Sequence, residues 1–235
     1  MAAKQYHVEI DLGDPNRSHT KLISWTGRGK RVLDVGCATG AVGHALNRDF
    51  GCAVVGIEFD AGSAAVCAAY ERVVVGSAEE PSLINSLDDH FDVILFGDVL
   101  EHLRRPEVAL RGLRQWLKPG GYALVSLPNI AHLRHRLWLS AGKWEYTDEG
   151  IMDRTHLRFF TLASARKLFA ECGWRETRFD FVVGRRMAAL KRFLPPTLFA
   201  AQFVFQLEMV TTHGSRETSI LSGVPRVARS GRNAV

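Results

Sequence analysis

The chain has 235 residues, 46% of them hydrophobic and 23% charged, with a net charge of +5. That is the balance of an ordinary globular protein, which excludes fibrous and wholly disordered classes. The excess positive charge suits an anionic small molecule or a nucleic acid and does not decide between them.

One domain is expected over residues 1–212, and the Ser-, Arg- and Gly-rich segment 213–235 is expected to be a disordered tail. The N-terminus "MAAKQYHVEIDLGDP" lacks the apolar core of a signal peptide. Cys37, Cys52, Cys67 and Cys172 lack CxxC spacing and are expected as reduced thiols. A cytoplasmic location is the expectation that follows. The apolar stretch "FLPPTLFAAQFVFQL" (193–207) is broken by Pro195, Pro196 and Gln202. It is shorter than the roughly 18 to 20 residues of a spanning helix, so it is expected in the core.

In chain order, strands are predicted at 31–36, 53–59, 72–78, 91–98 and 121–128, each short and apolar. Helices are predicted between them at Val42–Asp49, Ala61–Tyr70, Ser82–Leu87 and Pro106–Leu117. In "LKPGGYAL", Lys118 closes the last of these, Pro119 forbids continuation, and Gly120 and Gly121 turn into the next strand. Residues 129–160 then break the pattern, an insertion expected to act as a lid. A helix at Ser164–Cys172, stopped by Gly173, precedes strands at 175–184 and 202–210. This alternation predicts a doubly wound, mainly parallel α/β sheet with helices on both faces.

The first strand runs into "DVGCATGAVG", with glycines at 36, 40 and 43 opening a helix. Backbone can approach a ligand closely there. The spacing is not that of the dinucleotide fingerprint, and Asp34 would repel a pyrophosphate. A carboxylate suits an ammonium or sulfonium group instead. Glu58, at the end of the second strand, is placed to accept hydrogen bonds from a ribose diol. A ligand with a ribose and a positive charge but no phosphate is S-adenosylmethionine.

"VLDVGCATG", "VVGIEFD", "GSAEE", "FDVILFGDVLEHLRRP" and "LKPGGYALVSLPN", in that order, resemble the motifs of class I S-adenosylmethionine-dependent methyltransferases. The resemblance runs from about residue 30 to 210. It implies a Rossmann-like sheet of seven strands, the last one antiparallel. It implies that Asp34, Gly36, Cys37, Ala38 and Gly40 lie around the methionine moiety and that Glu58 holds the ribose. Phe59 would flank the adenine, with Ala78 and Glu79 near its edge, and Gly97, Asp98 and Val99 would complete the cofactor pocket. Ala38 stands where many relatives have glycine. The "PN" after the fifth strand and "THLRFFT" in the insertion are similar to a branch associated with polysaccharides and natural products.

Asp98, Glu101 and His102 fall at i, i+3 and i+4, on one face if the segment is helical. Methyl transfer to a hydroxyl needs the acceptor aligned and a proton removed, work suited to His102 or His156. Asp98, Glu101, His102 and His156 also resemble the metal cluster of small-RNA 2′-O-methyltransferases and of some ubiquinone-pathway O-methyltransferases. Spacing alone does not separate a divalent metal from a metal-free base. The acceptor is expected against His132, Arg136, Trp144, Tyr146, Arg154 and Arg158 of the insertion. A small molecule acceptor, through an oxygen of a sugar or secondary metabolite, is the first expectation. N- or C-methylation, RNA 2′-O-methylation and cofactor binding without turnover are the alternatives. Nucleic acid and a membrane surface, the latter through 184–203, are the less favoured partners.

Overall fold

In the computed structural model of this chain, residues 10–210 are described. The proposed tail, 213–235, lies outside them. Helix α1 (Ser18–Thr26) precedes strand β1 (Arg31–Val35), helix α2 (Ala41–Phe50), strand β2 (Ala53–Glu58) and a single helical turn, α3 (Ala61–Ala64). Strand β3 (Arg72–Val75), helix α4 (Pro81–Ser86), strand β4 (Phe91–Gly97), helix α5 (Pro106–Leu113) and strand β5 (Leu117–Pro128) follow. Helices α6 (Leu133–Ser140) and α7 (Leu162–Glu171), strand β6 (Trp174–Val182), helix α8 (Pro196–Phe199) and strand β7 (Gln202–Met209) complete the order.

The seven strands form one sheet in the order β3-β2-β1-β4-β5-β7-β6. β1 to β5 run parallel to one another, whereas β7 runs antiparallel to both β5 and β6. The sheet is therefore the one the ordered motifs imply.

Alternation along each strand builds two cores. Leu33, Val55, Ile94, Val125 and Phe205 join one cluster, covered by α5 and α7 through Leu110, Leu113, Ala165 and Phe169. Val32, Val54, Val93, Leu124 and Val204 join the other, beneath Leu22 and Ile23 of α1 and Leu46 of α2. Burial on both faces explains why these strands read as nearly unbroken apolar runs.

Several boundaries differ from the sequence reading. The helix expected at 61–70 ends at Ala64, after Asp60 caps it by accepting the Ser63 N–H at 2.8 Å. The chain then turns through Cys67, whose N–H bonds the Ala64 carbonyl, and delivers Tyr70 to the glycine turn. The helix expected to end near Leu117 stops at Leu113 and continues as a 3-10 turn, Arg114–Trp116. Lys118 thus lies in β5, where the register jumps: Phe91 pairs with Leu117 but Val93 with Tyr122. The Pro-Gly-Gly segment is a bulge within the strand's span. Helix α1 has no counterpart in the sequence reading. The stretch 193–207 is core only in its second half. No residue of α8 is buried and Phe193 is 70% exposed, whereas Phe203, Phe205 and Leu207 are fully buried.

Candidate functional site

The glycine turn between β1 and α2 forms one wall of the site. Gly36 has φ 68° and Gly40 φ 82°, both in the left-handed region that glycine adopts without strain. Ala38 also has a positive φ, 47°. Its N–H donates to Glu58 Oε2 at 2.7 Å, and the Asp60 N–H donates to Glu58 Oε1 at 2.9 Å. Glu58 thus ties the tip of β2 to the turn. A carboxylate has about four lone-pair directions, so these two bonds leave acceptor capacity on each oxygen. Phe59, the next residue, is 77% exposed, an unusual state for a large aromatic beside such a turn.

Asp34 is not at the lip of the turn. It is buried beneath it, with Oδ2 accepting from the Tyr70 hydroxyl at 2.6 Å. Tyr70 Oη in turn accepts the Gly43 N–H at 3.1 Å. Tyr70 is a residue that the sequence reading did not single out. The signal was the set of glycines at 43 and 56 on which its ring lies: a Cβ on Gly43 would fall 2.2 Å from the ring.

Burial pushes Asp34 up to about 7, the Tyr70 hydrogen bond opposing this and Glu58 adding to it. Burial, followed by the nearby Asp34 charge, likewise raises Tyr70. An Asp with a folded value above its unfolded value of about 3.9 favours folding most below pH 4. That contribution is lost as pH rises through about 7. The ligand-free protein is therefore expected to melt lower at pH 8 than at pH 5, and Asp34→Asn to reduce the difference. A pH dependence unchanged in Asp34→Asn would refute this assignment.

The chain after β4 forms the second wall. Asp98 has φ 53°, and its carboxylate accepts from Ser126 Oγ at 2.8 Å and Gln202 Nε2 at 3.0 Å. Val99 fills the space opposite Gly36, where a Cβ would meet it at 2.5 Å. Gly97 ends β4 against Leu22, and Ala78 is buried. Glu79, expected near an adenine edge, accepts the Arg104 and Arg105 N–H groups ahead of α5. Cys37 is buried beside Gly56.

Asp98, Glu101 and His102 do not share a helix face, because only Leu100–His102 is helical and forms a single 3-10 turn. Asp98 turns toward β5 and β7. Glu101 points into the protein, with Oε2 lacking any hydrogen-bond partner among the described residues. Burial and then the Asp98 charge raise its carboxyl well above the usual range.

The structure instead joins Glu101 and His102 to His156. The imidazole centroids of His102 and His156 are 4.8 Å apart, and ligand-capable atoms of all three residues lie within 4.8 Å of one another. The backbone holds the group together: the Leu157 and Arg158 N–H groups donate to the Glu101 carbonyl at 2.8 and 2.9 Å. His102 Nδ1 lies 3.3 Å from the Thr155 carbonyl, and His156 Nδ1 lies 3.1 Å from the Ile151 carbonyl. A carbonyl only accepts, so each Nδ1 bonds its carbonyl only as an N–H donor, and His102 Nδ1 also meets the Thr155 hydroxyl at 3.2 Å. Burial, reinforced by His156, lowers the His102 pKa. Such a trio offers either a proton acceptor or the donors for a divalent cation.

The expected acceptor residues are spread along the insertion. His132 caps α6, its Nδ1 accepting the Arg134 N–H at 3.2 Å. Arg136 donates to the Ala131 and Thr197 carbonyls, and Arg158 to the Arg104 carbonyl. Arg154 pairs with Asp148 at 2.9 Å. The rings of Trp144 and Tyr146 are 45% and 51% exposed as residues and pack on Phe159, which also meets His156. The aromatic group thus reaches the histidine pair, while the arginines are engaged locally.

A seven-stranded sheet with its β7 reversed, a glycine turn after β1 and an acid at the tip of β2 define a class I S-adenosylmethionine-dependent methyltransferase fold. A family model described as a methyltransferase domain matches residues 9–178, and the chain belongs to that family. It is 31% identical over 106 residues to a ubiquinone biosynthesis O-methyltransferase of Pseudomonas fluorescens strain SBW25. That match covers 43% of this chain and 45% of the relative, so the chain spans under half the length of the curated relatives it matches. A S-adenosylmethionine-dependent methyltransferase from Archaeoglobus fulgidus has a similar structure, with TM-score 0.59 and 18% identity, covering 80% of this chain and 90% of that one. The magnesium protoporphyrin IX methyltransferase of Synechocystis PCC 6803, solved with S-adenosylhomocysteine, gives TM-score 0.58 at 14% identity, covering 80% of each. At such identities the likeness is one of fold. No helix among the described residues is long and apolar enough to cross a membrane.

Proposed function

We propose that the chain transfers a methyl group from S-adenosylmethionine to an oxygen of a small molecule, a sugar or secondary metabolite. The observation that carries the oxygen acceptor is the pairing of His102 with His156, ring centroids 4.8 Å apart, beside Glu101 after β4. When bound, the cofactor supplies an electrophilic methyl group on a sulfonium sulfur.

The residues of this chain fit that ligand. Glu58 keeps acceptor capacity for the two ribose hydroxyls, and exposed Phe59 offers a face to the adenine. Asp34, with its pKa near 7, is readily ionised by an adjacent ammonium group. His102 Nε2 takes the hydroxyl proton as the acceptor oxygen bonds to the methyl carbon and the carbon–sulfur electron pair remains on sulfur. Trp144, Tyr146 and Phe159 would flank the acceptor, with His132, Arg136, Arg154 and Arg158 at the margin. The P. fluorescens relative's name, an O-methyltransferase, supports the same choice of atom.

A general base contributes roughly 10² to 10⁴ in rate. His102→Ala and His156→Ala should be assayed separately by S-adenosylhomocysteine release over a panel of hydroxylated, amine and carbon-acid acceptors. One of the two is expected to lose at least roughly 100-fold in kcat with cofactor affinity retained. Full turnover in both variants would reject histidine-assisted O-methylation.

One observation favours a metal-assisted form of the same reaction. Glu101 has a buried, unpartnered Oε2 and brings a carboxylate oxygen within 4.8 Å of two imidazoles whose Nδ1 atoms lie on carbonyls, the arrangement that orients histidine ligands. There Glu101, His102 and His156 would hold a divalent cation that polarises the acceptor hydroxyl. Chelation followed by added magnesium or manganese distinguishes the forms. The free-base reading predicts unchanged turnover, and the metal-assisted form predicts a loss restored by one of the ions.

A further inference from the structure

Two segments of this fold carry large apolar side chains that the molecule does not bury. Helix α6 and the 3-10 segment Arg185–Phe193, with α8 after it, contain no buried residue among them. A helix on a globular surface normally turns an apolar stripe inward. Here Leu137, Leu139, Leu190 and Phe193 are 59%, 58%, 56% and 70% exposed. The segments adjoin, since Arg136 of α6 donates to the Thr197 carbonyl of α8 at 3.3 Å.

Their charge is one-sided. Residues 131–144 and 183–201 contain no Asp or Glu, and carry Arg134, Arg136, Lys143, Arg185, Arg186, Lys191 and Arg192. Removing those seven charges from the net +5 leaves the rest of the chain at −2. Lys191 pairs with Asp180 at 2.5 Å, a carboxylate that it shares with Lys21, and the other six cations are exposed. Arg192 lies over the Phe193 ring at 4.5 Å and Arg134 over Trp138 at 4.1 Å, so cation and apolar surface are interleaved.

We propose that this face docks on an anionic phospholipid surface. The occupant is selected by charge as well as apolarity. A second copy would bring the same positive face against it. Segment 211–235 carries four arginines against one glutamate and has the wrong sign to cover it. A bilayer with acidic headgroups meets both demands: it attracts the basic side chains and accepts Leu190 and Phe193 at the acyl boundary. The cations alone would also suit a nucleic acid, but unstacked aliphatic leucines gain nothing from phosphates. The inference is independent of the acceptor's identity.

The test is co-sedimentation of the full chain with vesicles of phosphatidylcholine alone and of phosphatidylcholine with one third phosphatidylglycerol. Binding is expected to be at least roughly tenfold stronger on the mixed vesicles and to weaken with salt. The double variant Leu190→Ser, Phe193→Ser, at two exposed positions, should melt like the parent yet lose about fivefold or more of that binding. Equal binding to both vesicles, no binding to either, or an unaffected double variant would each overturn the proposal. So would tighter binding to single-stranded RNA that is insensitive to the double variant, which would make the face a nucleic-acid surface. Melting reports folding separately.

Discussion

Glu58→Ala is expected to abolish measurable S-adenosylmethionine binding. The carboxylate does two things at once. It holds the Ala38 and Asp60 N–H groups at 2.7 and 2.9 Å, fixing the turn after β1 against the tip of β2. Under the proposed function it also offers its remaining lone pairs to the ribose. Hydrogen bonds to a charged group contribute about 1.5–3 kcal/mol each. Losing two ribose bonds alone therefore weakens binding by roughly 100-fold or more. Calorimetric titration of cofactor and product into the parent and the variant checks this, and Glu58→Gln separates the two roles. Glutamine can reproduce one turn contact but not the paired acceptors, so partial recovery is expected. Parent-like affinity in Glu58→Ala would place the cofactor elsewhere.

Gly43→Ala should cost more stability than most single changes in the fold. The new methyl group would sit 2.2 Å from Tyr70 Cζ and 2.3 Å from its hydroxyl oxygen. Tyr70 is buried and cannot swing to solvent without leaving Asp34, whose carboxylate then loses its 2.6 Å partner. Overpacking and an unpaired buried polar group together cost about 3–5 kcal/mol. In a domain of this size each kcal/mol moves the melting temperature by roughly 2–4 °C, so a fall on the order of 10 °C is expected. Tyr70→Phe, which removes only the hydroxyl, should fall by less. A Gly43→Ala protein that melts with the parent would mean that the Tyr70–Asp34 contact is not a fixed part of the turn.

The strands were legible because parallel, doubly covered strands need apolar residues on both faces, and 31–35, 53–58 and 91–97 are mostly apolar. The glycine turn and the acid at the tip of β2 were legible for a similar reason, since glycine spacing and strand-end acids are local patterns. Helix α1 was not, because its buried apolar residues are only Leu22 and Ile23, and its other buried positions are Ser18, Thr20, Lys21 and Thr26. The overlong helix at 61–70 came from alanines whose propensity yields to the tertiary demand for Tyr70 at the glycine turn. Asp98 illustrates a different limit. Its direction is set by Ser126 and Gln202, which are 28 and 104 residues away, and no spacing within "GDVLEHL" encodes them. The pairing of His156 with His102 is also long-range. The resemblance supplied the candidates, and the two N–H groups on the Glu101 carbonyl explain their meeting.

Pro128, Gln202 and Val182 lie in one row across β5, β7 and β6. The chain therefore leaves the sheet after Pro128, leaves again after Val182 and re-enters at Gln202, all at a single rim. The register of β1 to β4, which carries the glycine turn and Glu58, contains none of these crossings. The connections at that rim can lengthen, shorten or change while β1 to β4 keep their pairing, provided that Gln202 stays to hold Asp98. Under the proposed function, a lineage of this architecture can in this way drift to new acceptors without rebuilding the half proposed to hold the methyl donor.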